Sequence, residues 1–157
     1  MRAEPSLSAA EQGTWRTYME AGRLLFDVLD RELQRDAGLA HTDYEILVRL
    51  SEAPHRRLRM SDLAAAMLFS RSRLSHAVSR LEREGLVVRT ECGEDARGTF
   101  AQLTRRGRAV LRAAAPGHVR GVRRHLFERL TREQVRALGE ISRAVRDSLA
   151  DSTGQFR

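Results

Sequence analysis

The sequence predicts a mainly α-helical protein that carries one small β-hairpin. Apolar residues recur at three- and four-residue steps along most of the chain, which is the spacing of one helical face. Between residues 87 and 104, two short stretches rich in β-forming residues flank the loop CGEDARG, which contains a glycine near each end. The 157 residues suffice for one domain with a sizeable core.

A long first helix is predicted over residues 7–37. Ser8 and Glu11 have the spacing of a capping box, and Gly38 marks the end of the helix. A helix of this length in so small a protein indicates association with a second chain. Its apolar stripe consists of Trp15, Met19, Gly22, Phe26, Leu29 and Leu33.

Three shorter helices follow, for which Thr42, Ser61 and Ser70 are the predicted N-caps. Gly85 ends the third of them, just before the hairpin.

Two further helices are predicted over residues 105–150. Thr104 caps the first, which Pro116 and Gly117 should bend, and Thr131 caps the second in a capping box with Gln134. A 3-4-3-4 stripe along the last helix consists of Val135, Leu138, Ser142, Val145 and Leu149.

The helix that begins after Ser70 has one apolar face and one face without carboxylates. At about 100° per residue, its buried face is predicted to consist of Leu74, Ala77, Val78 and Leu81. Serine, histidine and arginine can bond bases or phosphates, and no acid repels the backbone, so the opposite face suits a DNA major groove. That face consists of Ser72, Arg73, Ser75, His76, Ser79, Arg80 and Arg83.

The charge distribution also indicates an anionic partner. The net charge is +7, and residues 56–108 contain 12 arginines and 6 acids, whereas residues 1–55 contain 6 arginines and 10 acids. A basic surface that only contacts solvent is the alternative.

Two short helices followed by a hairpin have the order of a winged helix-turn-helix. Arg97 lies near the hairpin tip and is suited to a narrow minor groove, while Asp95 can hold an arginine. The alternative is an ordinary hairpin tip with a local ion pair.

These residues resemble the MarR family of winged-helix transcription factors. The resemblance is carried by SRSRLSHAVSRLEREGLV, by the wing pattern Asp95-x-Arg97-Gly98, and by Leu103, Thr104 and Gly107 after the hairpin. It implies one MarR-type domain over residues 1–157, with a winged-helix DNA-binding region at 42–104 and dimerisation helices at 7–37 and 105–150.

The resemblance also implies a homodimeric repressor of double-stranded DNA. Each recognition helix would enter one half of a pseudo-palindromic operator, and a phenolic or other anionic aromatic ligand would release the DNA. The predicted DNA-binding residues are Ser70, Arg71, Ser72, Arg73, Ser75, His76, Ser79, Arg80, Asp95 and Arg97.

An effector site is predicted in the crevice between the dimerisation and DNA-binding regions. Aromatic side chains would stack on the ligand, and Arg23 or a histidine would meet its anionic group. The alternative is that the apolar members belong to the dimer core. The candidates are Trp15, Tyr18, Met19, Arg23, His41, Tyr44, Leu47 and His118.

Other classes of function are less well supported. The single cysteine, Cys92, excludes an intramolecular disulfide, but its oxidation is an alternative switch. His118 and His125 lack the compact spacing of a metal site, no cofactor or enzyme motif is present, and no segment predicts a membrane span. We expect a cytoplasmic protein, and a constitutive or architectural DNA-binding protein without an effector stays the second hypothesis.

Overall fold

The computed structural model describes residues 6–91 and 98–153, with side chains to residue 150. Helix α1 spans Ala9–Ala37. The Ser8 hydroxyl accepts a hydrogen bond from the Glu11 N–H, and the Ser8 N–H donates to the Glu11 carboxylate at 2.7 Å. Gly38 ends the helix in the left-handed conformation, with φ 66°. Both predicted ends of α1 are therefore confirmed.

Two predicted N-caps are wrong. Helix α2 spans His41–Glu52 and has Ala40 as its N-cap, so Thr42 lies inside the helix. Its first free N–H, that of His41, instead donates to the Asp30 carboxylate of α1 at 2.7 Å. Helix α3 spans Met60–Ala66, and Ser61 again lies inside it. In both cases the helix starts earlier than the local spacing indicates, and for α2 a side chain from another helix replaces the local cap.

A three-stranded antiparallel sheet contains the predicted hairpin and one strand that the sequence did not predict. Strands β1 (Arg57–Arg59), β2 (Val87–Glu91) and β3 (Thr99–Leu103) lie in the order β1-β3-β2. In β2 and β3 the bounds agree with those predicted. Strand β1 has only three residues, and Leu58 pairs with Ala101, which is 43 positions away in the chain. Such a strand has no sequence periodicity to detect.

The remaining helices begin where the sequence predicts. Helix α4 spans Arg71–Arg83 with the Ser70 hydroxyl as its cap, and α5 spans Arg105–His125 with the Thr104 hydroxyl as its cap. Helix α5 continues through Pro116, and its bend stays a prediction. Helix α6 spans Arg132–Thr153 and starts with the predicted capping box of Thr131 and Gln134.

The core lies between α2, α3, α4 and the inner face of the sheet, and extends to α1 and α5. Its fully buried side chains include Ile46, Leu47, Leu50, Leu63 and Leu81. Helices α1 and α5 approach closely at Gly121 of α5. A Cβ at this position would lie 3.2 Å from a Leu29 methyl carbon of α1. Helix α2 packs against both α1 and α5 and so joins the α2–α4 unit to this pair.

Large apolar side chains stay exposed on the parts of α1 and α6 that lie outside this core. Tyr18 in α1 is 65 % exposed, and Ile141 and Leu149 in α6 are 61 % and 59 % exposed. Within the described residues, no helix is both long enough and apolar enough to cross a membrane.

Candidate nucleic-acid interface

Helix α4 buries the face that its sequence predicts. Leu74, Ala77, Val78 and Leu81 are at most 3 % exposed, and they anchor α4 in the core. Arg71, Ser72, Arg73, Ser75 and His76, in the first two turns, are exposed. The exposed part of these turns therefore presents serine, histidine and arginine to solvent without a carboxylate.

The side chain of Arg73 is supported by an aromatic ring. Its guanidinium lies 3.8 Å from the centroid of the Phe69 ring, in the loop that precedes α4. The ring shields one face of the guanidinium and leaves its N–H edge available. Ser70, which was predicted to contact DNA, uses its hydroxyl to accept a hydrogen bond from the Arg73 N–H.

The second half of α4 is bound to neighbouring elements through Arg80. Its Nη2 lies 2.7 Å from one carboxylate oxygen of Asp43 in α2, and its Nε lies 3.4 Å from the other. Asp43 is 6 % exposed and is the only buried charged residue in the part of the chain that the structure describes. This hydrogen bond raises the pKa of Arg80 above its usual value.

Arg89 in β2 connects the hairpin to α4. Its guanidinium donates to the Ser75 carbonyl at 2.8 Å and to the hydroxyls of Ser75 and Ser79 at 3.2 Å, and it forms an ion pair with Glu82. The Glu82 carboxylate also accepts from the Arg89 N–H at 2.9 Å. Sequence reasoning missed Arg89, although residues alternate along a strand and Arg89 shares a face with buried Val87.

A basic notch lies between α3, α4 and the hairpin. It has a volume of about 420 Å³ and contains Arg59, Ser61, Arg71, Ser75, Arg89 and Gly98. The Arg57 and Arg59 guanidiniums both lie over the Phe100 ring, at 4.8 and 5.4 Å from its centroid. The sequence offered little signal for these two arginines beyond the general basic excess, because their strand was not predicted.

The hairpin tip lies outside the described residues. Asp95, Arg97 and Cys92 are therefore not placed by the structure, and their proposed roles stay predictions.

Known proteins are similar to this chain in both sequence and fold. A profile of the MarR family matches residues 37–98. The solved structure of Sco3205, a MarR family transcriptional regulator from Streptomyces coelicolor in complex with DNA, is 54 % identical, with a TM-score of 0.89 over 95 % of this chain and 93 % of that one. The HTH-type transcriptional regulator YfiV of Bacillus subtilis is 30 % identical over 92 % of this chain and 91 % of its own length. The chain belongs to the MarR family.

A further relative matches about half of this MarR-family chain. The HTH-type transcriptional repressor YetL of Bacillus subtilis is 32 % identical over 81 residues, which cover 52 % of this chain and 48 % of YetL. The chain thus spans about half the length of that relative. Both the family and these relatives are transcriptional regulators, so the protein is a MarR-family regulator and is not an enzyme.

The structure divides the predicted effector residues of this MarR-family chain into three groups. His118 lies beside Tyr44 and His41, with ring centroids at 4.6 and 5.5 Å. Leu47 is fully buried in the core. The other four lie on the exposed first half of α1 and do not line the cavity beside His41 and His118: Trp15, Tyr18, Met19 and Arg23.

His118 lies at the edge of a crevice between α2 and α5. The crevice has a volume of about 310 Å³ and also contains Glu45, Val48 and Arg49. Burial lowers the pKa of His118, and the nearby His41 lowers it further, while Glu45 has the opposite effect. The His118 Nδ1 atom is buried without a hydrogen-bond partner. His125 has a different neighbour, since its Nε2 lies 2.9 Å from the Glu32 carboxylate.

Proposed function

We propose that the protein is a homodimeric repressor that binds a pseudo-palindromic DNA operator and releases it when a small anionic aromatic ligand binds. The observation that carries the DNA-binding part is the exposed, acid-free surface of the first two turns of α4. DNA recognition needs donors that reach base edges and cations that meet phosphates, and Arg71, Ser72, Arg73 and His76 supply both.

The basic notch supports the same assignment. Arg59 and Arg71 border a cavity that opens beside the exposed turns of α4, so a phosphate of the backbone can approach it while α4 occupies the major groove. The related protein Sco3205 has been solved in complex with DNA. In our proposal the hairpin tip, with Arg97, lies over the adjacent minor groove.

The homodimer is supported by the apolar surface that the single chain leaves exposed. Trp15 and Phe26 in α1 are 55 % and 58 % exposed, and Val145 in α6 is 52 % exposed. Exposed apolar patches rimmed by polar groups mark association surfaces. A second copy that covers both helices would place two α4 helices on one duplex, as a palindromic operator requires.

The effector is proposed to bind near the crevice at His118. Tyr44 and His41 offer aromatic faces, and Arg49 offers a cation at the rim. In the dimer, Trp15, Met19 and Arg23 would approach the crevice from α1 of the second chain. The repressor role rests on the name of the relative YetL, and a cytoplasmic location follows from chromosomal DNA as the target.

Titration of a labelled operator in a salt series tests the DNA-binding part. Arg71→Ala should weaken binding and lower the slope of log K against log salt by about one if Arg71 contacts a phosphate. The matched control is Arg143→Ala. Arg143 is an exposed arginine of α6, a helix whose described residues do not line the notch. Equal losses for the two variants would contradict the proposed interface.

A ligand panel tests the effector. Phenols and aryl carboxylates should raise the melting temperature and release DNA over the same concentration range. If no compound has either effect, the protein is a DNA-binding protein without an effector. A response to peroxide that Cys92→Ser abolishes would instead support the thiol switch.

A further inference from the structure

Helix α4 is held on two sides, and both attachments involve its second half. Arg80 forms an ion pair with Asp43 in α2, and Glu82 forms an ion pair with Arg89 in β2. Arg89 also engages the hydroxyl of Ser79, which is partly buried. Within the described residues, the first two turns, up to His76, form no ion pair with another element, but Arg89 donates to the carbonyl and the hydroxyl of Ser75. The ion pairs of α4 thus lie in its second half, while the side chains of Arg71, Ser72, Arg73 and His76 are exposed in its first half.

The contact between Arg80 and Asp43 has the geometry of an orienting contact. Both oxygens of the carboxylate accept from the guanidinium, one from Nη2 at 2.7 Å and one from Nε at 3.4 Å. Two parallel bonds fix the relative orientation of the groups as well as their distance. Because Asp43 belongs to α2 and Arg80 to α4, the pair fixes the rotation of α4 against α2.

The burial of Asp43 determines whether Arg80 can leave. The Asp43 side chain is 8 % exposed, whereas that of Arg80 is 43 % exposed. A buried carboxylate that loses its cation is left uncompensated, and this costs more free energy than one good contact to a base returns. We therefore expect the ion pair between Arg80 and Asp43 to persist when DNA is bound.

Position on the helical face does not distinguish Arg80 from Arg73. The two residues are seven positions apart and point in nearly the same direction, but Arg80 lies about 10 Å further along the helix axis. Their partners differ: Arg73 lies on the Phe69 ring with its N–H edge available, and Arg80 is bound to a buried acid.

We propose that Arg80 is a positioning residue for DNA recognition: paired with Asp43, it sets the orientation of α4, and the bases are read by the exposed residues 71–76. This inference rests on the proposed function, since it assumes that α4 recognises an operator. It replaces the direct DNA contact that the sequence predicts for Arg80 with an indirect role.

Asp43→Asn distinguishes positioning of α4 by Arg80 from direct DNA contact by Arg80, because the two roles predict opposite changes in operator affinity. If Arg80 positions α4, loss of the carboxylate should weaken operator binding about tenfold or more, with an unchanged salt slope and unchanged binding to a scrambled duplex. If Arg80 contacts DNA, the freed cation should tighten binding or raise the salt slope by about one. The second result would overturn the proposal.

Asp62→Asn is the matched control for net charge. Asp62 is an exposed acid in α3, and its carboxylate accepts a hydrogen bond from the neighbouring Ser61 hydroxyl at 3.1 Å. This variant adds the same charge to the DNA-binding region, so the difference between the two variants isolates the pair with Arg80. Weakening by both variants to the same degree would contradict the positioning role.

Arg80→Gln provides a second test, in which base preference is measured. A general loss of folding would not give the result expected here. The ranking of single-base operator variants should stay as in the parent protein, and the double variant Asp43→Asn/Arg80→Gln should bind like Arg80→Gln alone. Selective loss of preference at one base pair would show that Arg80 reads that base and would overturn the proposal.

If these variants do not fold, the parent protein still provides a test. The Nε–H resonance of Arg80 in the labelled protein should keep its chemical shift and slow exchange when the operator binds. A large shift on binding would show that Arg80 leaves Asp43, which contradicts the proposal. If the parent protein does not discriminate between operator and scrambled duplex, the proposed function itself fails, irrespective of Arg80.

Discussion

Gly107 in α5 lies directly against the backbone carbonyl of Leu86. A Cβ at this position would come within 2.1 Å of the Leu86 oxygen and within 2.8 Å of a Leu103 methyl carbon. The hydroxyl of Thr104, the N-cap residue of α5, donates to the Gly85 carbonyl at 2.8 Å. Helix α5 therefore starts in tight contact with the base of the hairpin, and this junction connects the proposed dimerisation helices to the proposed DNA-binding region.

Gly107→Ala should destabilise the protein by about 1–3 kcal/mol, because the added methyl group overlaps backbone atoms that cannot move freely. Gly13→Ala is the matched control: Gly13 also lies inside a helix, and a Cβ there would meet no atom within 4 Å. Alanine favours helix, so the control should be neutral or stabilising. Urea unfolding measures both variants, and equal stabilities would contradict the tight junction.

Arg89→Ala should weaken both the fold and operator binding. The variant loses the bonds to Ser75 and Ser79 and leaves the Glu82 carboxylate, 27 % exposed, without its cation. We expect a loss of about 1–3 kcal/mol in the free energy of unfolding. In the control Arg83→Ala, an exposed side chain with one 3.4 Å bond to a backbone carbonyl is removed, and stability should change by less than about 0.5 kcal/mol.

His118 should make stability depend on pH. Because burial lowers its pKa in the folded state, the unfolded chain takes up the proton first as the pH falls below about 6.5. The contribution of neutral His118 to the free energy of unfolding is therefore fully present above that pH. It decreases as the pH falls from about 6.5 toward the lower pKa of the folded state. His118→Gln should remove this part of the decrease between pH 8 and pH 5.5, whereas His76→Gln on the exposed face of α4 should not. An unchanged pH profile in His118→Gln would be incompatible with this account.

The double variant Val145→Glu/Leu149→Glu should be a folded monomer. Both side chains are more than half exposed in the single chain, so folding of the core does not require them, whereas burial of two charges in a dimer interface is costly. Sedimentation at micromolar concentration should give one chain mass for this variant and two for the parent. Ala65→Glu, an exposed substitution on α3, should leave the dimer intact.

The sequence predicted those features whose causes are local. The capping boxes of α1 and α6, the end of α1 at Gly38 and the buried face of α4 all depend on residues within one or two turns. The hairpin strands were predicted with their observed bounds for the same reason. The family resemblance, based on residues of α4 and the hairpin, is confirmed by the relatives.

Features that depend on distant residues were missed. The carboxylate that accepts from the first N–H of α2 belongs to Asp30, eleven positions before His41, and strand β1 forms only because β3 is its partner. Arg80 belongs to the polar face of α4 by periodicity, but its partner Asp43 is 37 positions away. The effector residues were expected to meet in one crevice, but in the single chain His41, Tyr44 and His118 lie together while Trp15, Met19 and Arg23 border a separate cavity on α1.

Selection of duplexes from a random DNA library tests the central claim most directly. A dimer that reads DNA with α4 should enrich an inverted repeat whose half-sites lie about 10 base pairs apart, with two chains bound per duplex. His76→Ala, which alters an exposed side chain of α4, should reduce base preference at one position of each half-site. Enrichment of no motif, with equal binding to scrambled duplexes at the same salt concentration, would contradict the account.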